Sequence, residues 1–262
     1  MPAKIITFFI QKGGTGKTTC AANTSAGLAR LGHRVLAIDL DPQNNLALSL
    51  GVQNPPITSY ELLTQSPNSW HSNLPAVDIS GPYTNSGGCL HVLPGSIDLA
   101  AIDREIAHEP DHVFRLRNAL QPVRKNYDYI LLDNPPTVNA AVINGLAAAN
   151  ALIAPVRADF LSVAGVTQLL RTIELARKGG INTNLHLNGI ILTFYDPRTN
   201  LSKMAASQLR QHFGNAVLSS TIRDTVTIGE APATGNDIFR YAPSSPVAED
   251  FRKLCFEIQE KF

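Results

Sequence analysis

Short unbroken apolar runs alternate along this chain with longer stretches whose apolar positions recur at helical spacing. The runs Ile5–Ile10, Arg34–Asp39, Cys89–Leu93, Tyr127–Asp133, Ala151–Val156, Leu187–Phe194 and Ala216–Ile222 predict strands. They are continuous rather than alternating, as strands covered on both faces require. Helices are expected over Cys20–Ala29 and near 97–107, 111–125, 139–149, 162–178, 201–213 and 246–261. That order predicts an α/β fold: a doubly wound, mainly parallel, twisted sheet flanked by helices on both faces. One stretch breaks the rhythm. Residues 52–88 are rich in Pro, Ser, Asn and Gly, with a short helical pattern at Ser59–Leu63, and read as an irregular, partly mobile surface excursion that Trp70 pins down. No repeat or linker divides the chain, so 1–262 is expected to form a single domain.

Composition narrows the class. At 262 residues, 44% hydrophobic and 16% charged, the chain has room for one large core. No apolar run is long enough to span a bilayer, and the first strand begins by Ile5, which leaves no room for a secretory leader. Cys20, Cys89 and Cys255 are widely spaced and odd in number, neither a disulfide framework nor a metal pattern, so a cytoplasmic setting is expected. A net charge of +1 excludes a globally basic nucleic-acid binder; binding of that kind would need a local patch, assembled by oligomerisation.

Between the first strand and the first helix lies Lys12-Gly13-Gly14-Thr15-Gly16-Lys17-Thr18-Thr19. A strand, a glycine turn and a helix start form an anion site, because backbone N–H groups and the positive helix end converge there. The usual phosphate-loop pattern wants glycine at Gln11, and that part fails. Gly16-Lys17-Thr18 still matches: Lys17 suits the β- and γ-phosphates and the Thr18 hydroxyl suits Mg²⁺. Lys12 is the addition. Since Lys17 already serves the chain's own γ-phosphate, Lys12 is placed to reach the phosphates of a neighbouring subunit; its plainer reading is a solvated lysine beside a turn. The second strand ends in Asp39-Leu40-Asp41-Pro42-Gln43, where a parallel sheet forms its ligand crevice. Asp39 could hold a Mg²⁺ water and Asp41 could orient, or take a proton from, the water attacking the γ-phosphate; the plain alternative is a helix cap or turn. The strand Tyr127–Asp133 ends in Asp133-Asn134-Pro135-Pro136, which would fix a carboxylate on the Mg²⁺ shell.

Together the two-lysine loop, Asp-x-Asp-Pro-Gln and Asp-x-Pro-Pro resemble the ParA family of deviant Walker A P-loop ATPases, which position plasmids, chromosomes and other large cargoes. The likeness runs nearly the whole length: Pro155-Val156 through Gly165–Leu170, Thr193–Ser202 and Glu230-Ala231-Pro232 are similar to family segments. The resemblance implies ATP and Mg²⁺ as cofactors and a homodimer formed on ATP binding. Lys12 would cross to the partner's nucleotide, Lys17 would bind phosphate within the subunit, Thr18 and Thr19 would bind Mg²⁺ and the α-phosphate region, and Asp41 would serve hydrolysis. It also implies non-specific DNA as track, a nucleoid-associated location and a cargo adaptor, either ParB-like or that of an organelle such as the carboxysome.

Two departures from the family pattern stand out. Asn44 replaces a usual glycine after Asp41-Pro42-Gln43. In Ile222-Arg223-Asp224-Thr225-Val226-Thr227 the family's proline, asparagine and final arginine are replaced by Arg223, Thr225 and Thr227. The adenine contact is therefore expected from backbone and altered side chains, Arg223 and Thr225 among them, and the DNA surface from Arg198, Arg223, Arg240, Arg252 and Lys253. Three rivals are weaker. A MinD-like membrane ATPase would need a basic terminal helix, yet the charges of 249–261 sum slightly acidic. An iron–sulfur reductase would need interface cysteines, and none lies between Asn134 and Cys255. An ATP-dependent biosynthetic ligase would not need Lys12 to reach across an interface.

Overall fold

The computed structural model describes residues 2–53, 55–66, 69–70 and 74–262. Eight strands form one sheet in the order β3-β4-β2-β5-β1-β6-β7-β8. They are β1 Lys4–Phe8, β2 Arg34–Asp39, β3 Val77–Asp78, β4 Cys89–Leu93, β5 Tyr129–Asp133, β6 Ala151–Arg157, β7 Leu187–Tyr195 and β8 Val217–Arg223. All neighbours are parallel except β3, a two-residue antiparallel edge on β4. The parallel strands' C-terminal ends therefore share one edge, and their connecting loops open there.

Period-two alternation sends neighbouring residues to opposite faces, and each face finds its helices. Ile6 and Phe8 of β1 pack with α1 (Lys17–Arg30) and α11 (Pro246–Lys261), whereas Ile5 packs with α3 (Ser59–Thr64), α5 (Arg115–Leu120) and α6 (Ala140–Ala148). The outer strands β6 and β7 meet α7 (Ser162–Lys178) and α8 (Asn200–Phe213) through Val166, Leu169, Ala206 and Leu209. Helices α1 and α11 meet closely at Gly27, where an added Cβ would lie 2.4 Å from the Cys255 sulfur. The apolar face of α11 (Val247, Phe251, Leu254, Cys255, Ile258) is wholly buried.

Four expectations are corrected. The 97–107 helix is a 3₁₀ turn at Ile97–Ala101 followed by α4 (Ile102–Glu105). The 111–125 helix shrinks to α5, because Pro122 has no N–H with which to continue the helical ladder beyond Gln121. Three short helices were not expected at all: α2 (Asn45–Ser49), α9 (Val226–Ala233) and α10 (Ile238–Tyr241). Gly229, Pro232 and Gly235 mask the last two in the sequence. Finally, 52–88 is not simply an irregular excursion. Thr58 and Glu61 form a capping box at the start of α3, Leu62, Leu63, Trp70 and Leu74 join the core, and the buried Tyr83 hydroxyl donates to Asp237 at 2.8 Å. The helical pattern read at Ser59–Leu63 is α3 and Trp70 is an anchor as expected, whereas Leu74 and Tyr83 are isolated among polar residues and gave no signal; residues 54, 67, 68 and 71–73 of that stretch lie outside the described residues.

Candidate nucleotide site

The loop Gln11–Gly16 leaves β1 and enters α1 with Gly14 at φ 68° and Gly16 at φ 82°, left-handed values that a side chain would strain. Space is not what fixes Gly16, since a Cβ there would make only ordinary contact with the Phe194 ring at 3.5 Å. The end of β7 braces the loop, with the Thr193 hydroxyl donating to the Thr15 carbonyl at 2.8 Å. Phe194 itself sits at φ 50°, a strained backbone for an aromatic residue, with the Arg157 guanidinium 4.7 Å from its ring centroid.

The two lysines behave differently. Lys17 is buried and its ammonium donates to the Lys12 carbonyl at 2.9 Å, inside the loop. Burial lowers its pKa, while the charges of Asp133 and Asp41 act to raise it. Lys12 is partly exposed at the loop's rim and pairs with Asp159, just beyond β6, at 2.6 Å. Thr18 and Thr19 occupy the first turn of α1 beside them.

Asp39 and Asp133 end adjacent strands in direct register, and both are fully buried. Their surroundings differ. The Asp39 carboxylate accepts the backbone N–H of Asp41 and of Leu46, each at 2.9 Å, so it shapes the turn that carries Asp41. This is the turn-forming alternative, and it weakens the expectation that Asp39 holds a metal water. The two oxygens of Asp133 are buried with no well-formed hydrogen bond among the described residues, the Thr18 hydroxyl lying beside them. Burial, then the neighbouring Asp39, raises the Asp133 pKa; the Thr18 hydroxyl and the Lys17 charge pull the other way. Burial likewise pushes Asp39 up to about 7. An orphaned acidic oxygen pair beside a helix-start hydroxyl and a buried ammonium suits a hard divalent cation, which would satisfy those oxygens. Asp41 is half-buried, its carboxylate accepting the Gln43 N–H at 2.9 Å.

Farther along the edge, Gly16, Thr19, Phe194, Ile222 and Ile228 line one small cavity beside the loop. Thr225 precedes α9 there, and its hydroxyl oxygen is buried without a partner. Arg223, expected at the same place, turns away to a two-pronged pair with Asp250 at 2.7 and 2.8 Å. The other arginines expected on DNA are spread out. Arg198 is exposed but paired with Asp196, while Arg252 pairs with Glu249. Arg240 and Lys253 are exposed, and their cationic groups have no partner among the described residues. Arg240 lines a separate cleft of about 710 Å³ between α2, residues 81–82 and the α9–α10 turn. Among the described residues that cleft gathers no reactive groups, so chemistry rather than volume marks the phosphate loop as the site. Sequence reasoning gave no role to Asp159, Thr193 or Phe194, although Thr193 and Phe194 open a segment similar to the family. The remaining signal was position, at the C-terminal ends of parallel strands.

A glycine loop at a helix start, a buried lysine within it and an orphaned carboxylate at the next strand end define a P-loop nucleotide site of the two-lysine type. Comparison with known proteins agrees. A family model described as an AAA domain matches residues 3–187. The chain is 41% identical over 251 residues to the chromosome-partitioning ATPase Soj of Thermus thermophilus, covering 96% of this chain and 93% of that one. It is 36% identical over 261 residues to the chromosome partitioning protein ParA of Caulobacter vibrioides, covering 98% and 94%. Among solved structures, cobyrinic acid a,c-diamide synthase from Mycobacterium smegmatis with bound ATP analogue and magnesium superposes with a TM-score of 0.80 at 28% identity, covering 98% and 94%. The chain belongs to the ParA/Soj family of partitioning ATPases.

Proposed function

We propose that this protein hydrolyses ATP slowly as a nucleotide-bridged homodimer. In its ATP state it holds non-specific DNA, and a cargo adaptor stimulates hydrolysis, so that a chromosome or plasmid is partitioned over the nucleoid in the cytoplasm. The observation that carries this reading is the division of labour between the two loop lysines. Lys17 is buried inside its own loop, whereas Lys12 stands partly exposed at the rim, with its ammonium outside the loop and paired with Asp159. A cation at the rim serves a phosphate outside its own loop, and the matching face of a second copy supplies one. Apolar residues support this. Val138, Phe160, Leu161, Leu201, Met204 and Val226 are all exposed, and all lie in loops or the first two helical turns after β5 to β8, around the crevice. Monomeric surfaces rarely gather such residues on one edge without an interface.

Within the site, Thr18 and Asp133 would hold magnesium, which when bound screens the phosphate charge and orders the leaving oxygens. Lys17 binds the β- and γ-phosphates from its own protomer and Lys12 neutralises developing charge from the other. Asp41 orients the attacking water, and Asp39 fixes the turn that holds Asp41 in place. Ile222, Ile228 and Thr225 lie where the base would rest. DNA contact rests on Arg240 and Lys253 first, because their charges are free, with Arg198, Arg223 and Arg252 contributing through groups already paired. Pairing doubles the patch, so nucleotide controls DNA affinity through avidity. Duplex DNA of random sequence tests this. Binding is expected with a non-hydrolysable ATP analogue and magnesium, falling steeply with salt; equal binding with ADP or without nucleotide would refute it.

A further inference from the structure

The partner of Lys12 within its own chain is the most informative contact that the site's chemistry leaves unused. Asp159 grips the ammonium at 2.6 Å, with both side chains a little over a quarter exposed. The Asp159 carboxylate also accepts the Leu161 N–H at 3.0 Å, and the Asp159 carbonyl accepts the Ser162 hydroxyl at 2.6 Å, so the acid is fixed by its own turn before α7. The same short loop is tied to the phosphate loop a second way. The Ala158 N–H donates to the Thr193 carbonyl, and the Thr193 hydroxyl donates to the Thr15 carbonyl. Phe160, next in the chain, is 84% exposed, on the edge proposed above to meet a second copy.

We propose that Asp159 is a positioning residue that retains Lys12 within its own protomer and thereby sets the threshold for pairing. The proposal rests on the reading of Lys12 as a lysine that acts on the partner's nucleotide. A single ammonium cannot keep a close, charge-assisted contact with Asp159 and also move onto phosphates across an interface. Pairing therefore breaks two Lys12–Asp159 contacts, one in each protomer. The triphosphate's greater charge and the burial of Phe160 and its neighbours offset that loss. Because Asp159 sits beside Phe160, docking of the second copy and release of Lys12 act on the same turn.

Asp159→Asn isolates this role. Asparagine keeps the oxygen that accepts the Leu161 N–H and removes the charge that holds Lys12. Dimerisation is measured by sedimentation against protein concentration, under a saturating non-hydrolysable ATP analogue and magnesium. The Asn variant is expected to reach half-dimer at a concentration about tenfold lower, roughly threefold for each of two partly exposed pairs. Fluorescent nucleotide binding to the isolated protomer should be unchanged, and Asp159→Glu should restore the wild-type threshold. In a Lys12→Gln background, Asp159→Asn should have no effect on pairing. A wild-type protein that pairs while Asp159→Asn leaves the midpoint unchanged or raises it would overturn the proposal and leave the dimer reading standing. A wild-type protein that never pairs would overturn the dimer reading itself, and this proposal with it.

Discussion

Two adjacent strand ends, β2 and β5, finish in the same residue type at the same depth, yet the two carboxylates do different things. Asp39 is fully engaged by the backbone N–H groups of Asp41 and Leu46, whereas Asp133 has two oxygens with no well-formed hydrogen bond among the described residues. Residue identity and burial do not separate them. What separates them is whether the following chain turns back over the carboxylate. After β2 it does, because Asp41–Asn45 curls into α2; after β5, Asn134 instead turns into the sheet and donates to the Thr7 hydroxyl at 2.8 Å. An acid whose lone pairs are spent on backbone builds structure, while one left orphaned is held ready for a ligand.

The sharpest way to break that comparison is to neutralise each acid in turn. Asp133→Asn should cut ATP hydrolysis by about a hundredfold or more. In the absence of magnesium it should at the same time raise stability to denaturant at pH 8 by roughly 1–3 kcal/mol, because it removes a buried carboxylate whose charge is poorly satisfied. Asp39→Ala should lower stability by roughly 2–4 kcal/mol, since it strands two N–H groups at once. Opposite signs in chemical denaturation support the division; equal signs would erase it.

A pH series sharpens the same point. Burial raises both pKa values, Asp39 to about 7, so each acid holds its proton longer in the folded state than in the unfolded chain. The stability that Asp39 contributes is therefore complete below the ordinary carboxylate range and is lost progressively as pH rises to about 7, and Asp133 acts in the same direction. Without magnesium, the denaturation midpoint should fall between about pH 4 and about pH 7. Asp133→Asn should flatten that slope, and magnesium with nucleotide should offset it.

The smallest expected effect concerns the arginines, where engaged and free groups again stand side by side. Arg240→Ala should weaken binding to random duplex DNA several-fold and reduce the slope of log affinity against log salt by about one. Arg198→Ala should change less, because its guanidinium is already committed to Asp196. Salt-dependent titrations of the two variants compare them directly.

Much of this was legible in the sequence where physics leaves little choice. Strands covered on both faces need unbroken apolar runs, so seven of the eight strands in the structure stand out, and only the two-residue β3 escapes. Gly14 and Gly16 occupy left-handed backbone that glycine alone tolerates easily, so the phosphate loop announces itself. Function-bearing details that depend on where a chain turns were not legible. Asp39 and Asp133 read alike, Asp159 reads as an ordinary acid in a turn, and the pairing of Arg223 with Asp250 joins residues far apart in the chain. Helices α9 and α10 are hidden by their own glycines and proline, since burial on α1 and α2 rather than local propensity holds them.

The account depends most on Lys12 serving the site of the other protomer while Asp41 serves its own. Mixing two variants, Lys12→Gln and Asp41→Ala, each inactive alone, tests this directly. In a mixed dimer the Lys12→Gln protomer keeps its own Asp41 and receives Lys12 from its partner, so ATP hydrolysis should reappear on mixing. A mixture as inactive as its two components would contradict the account.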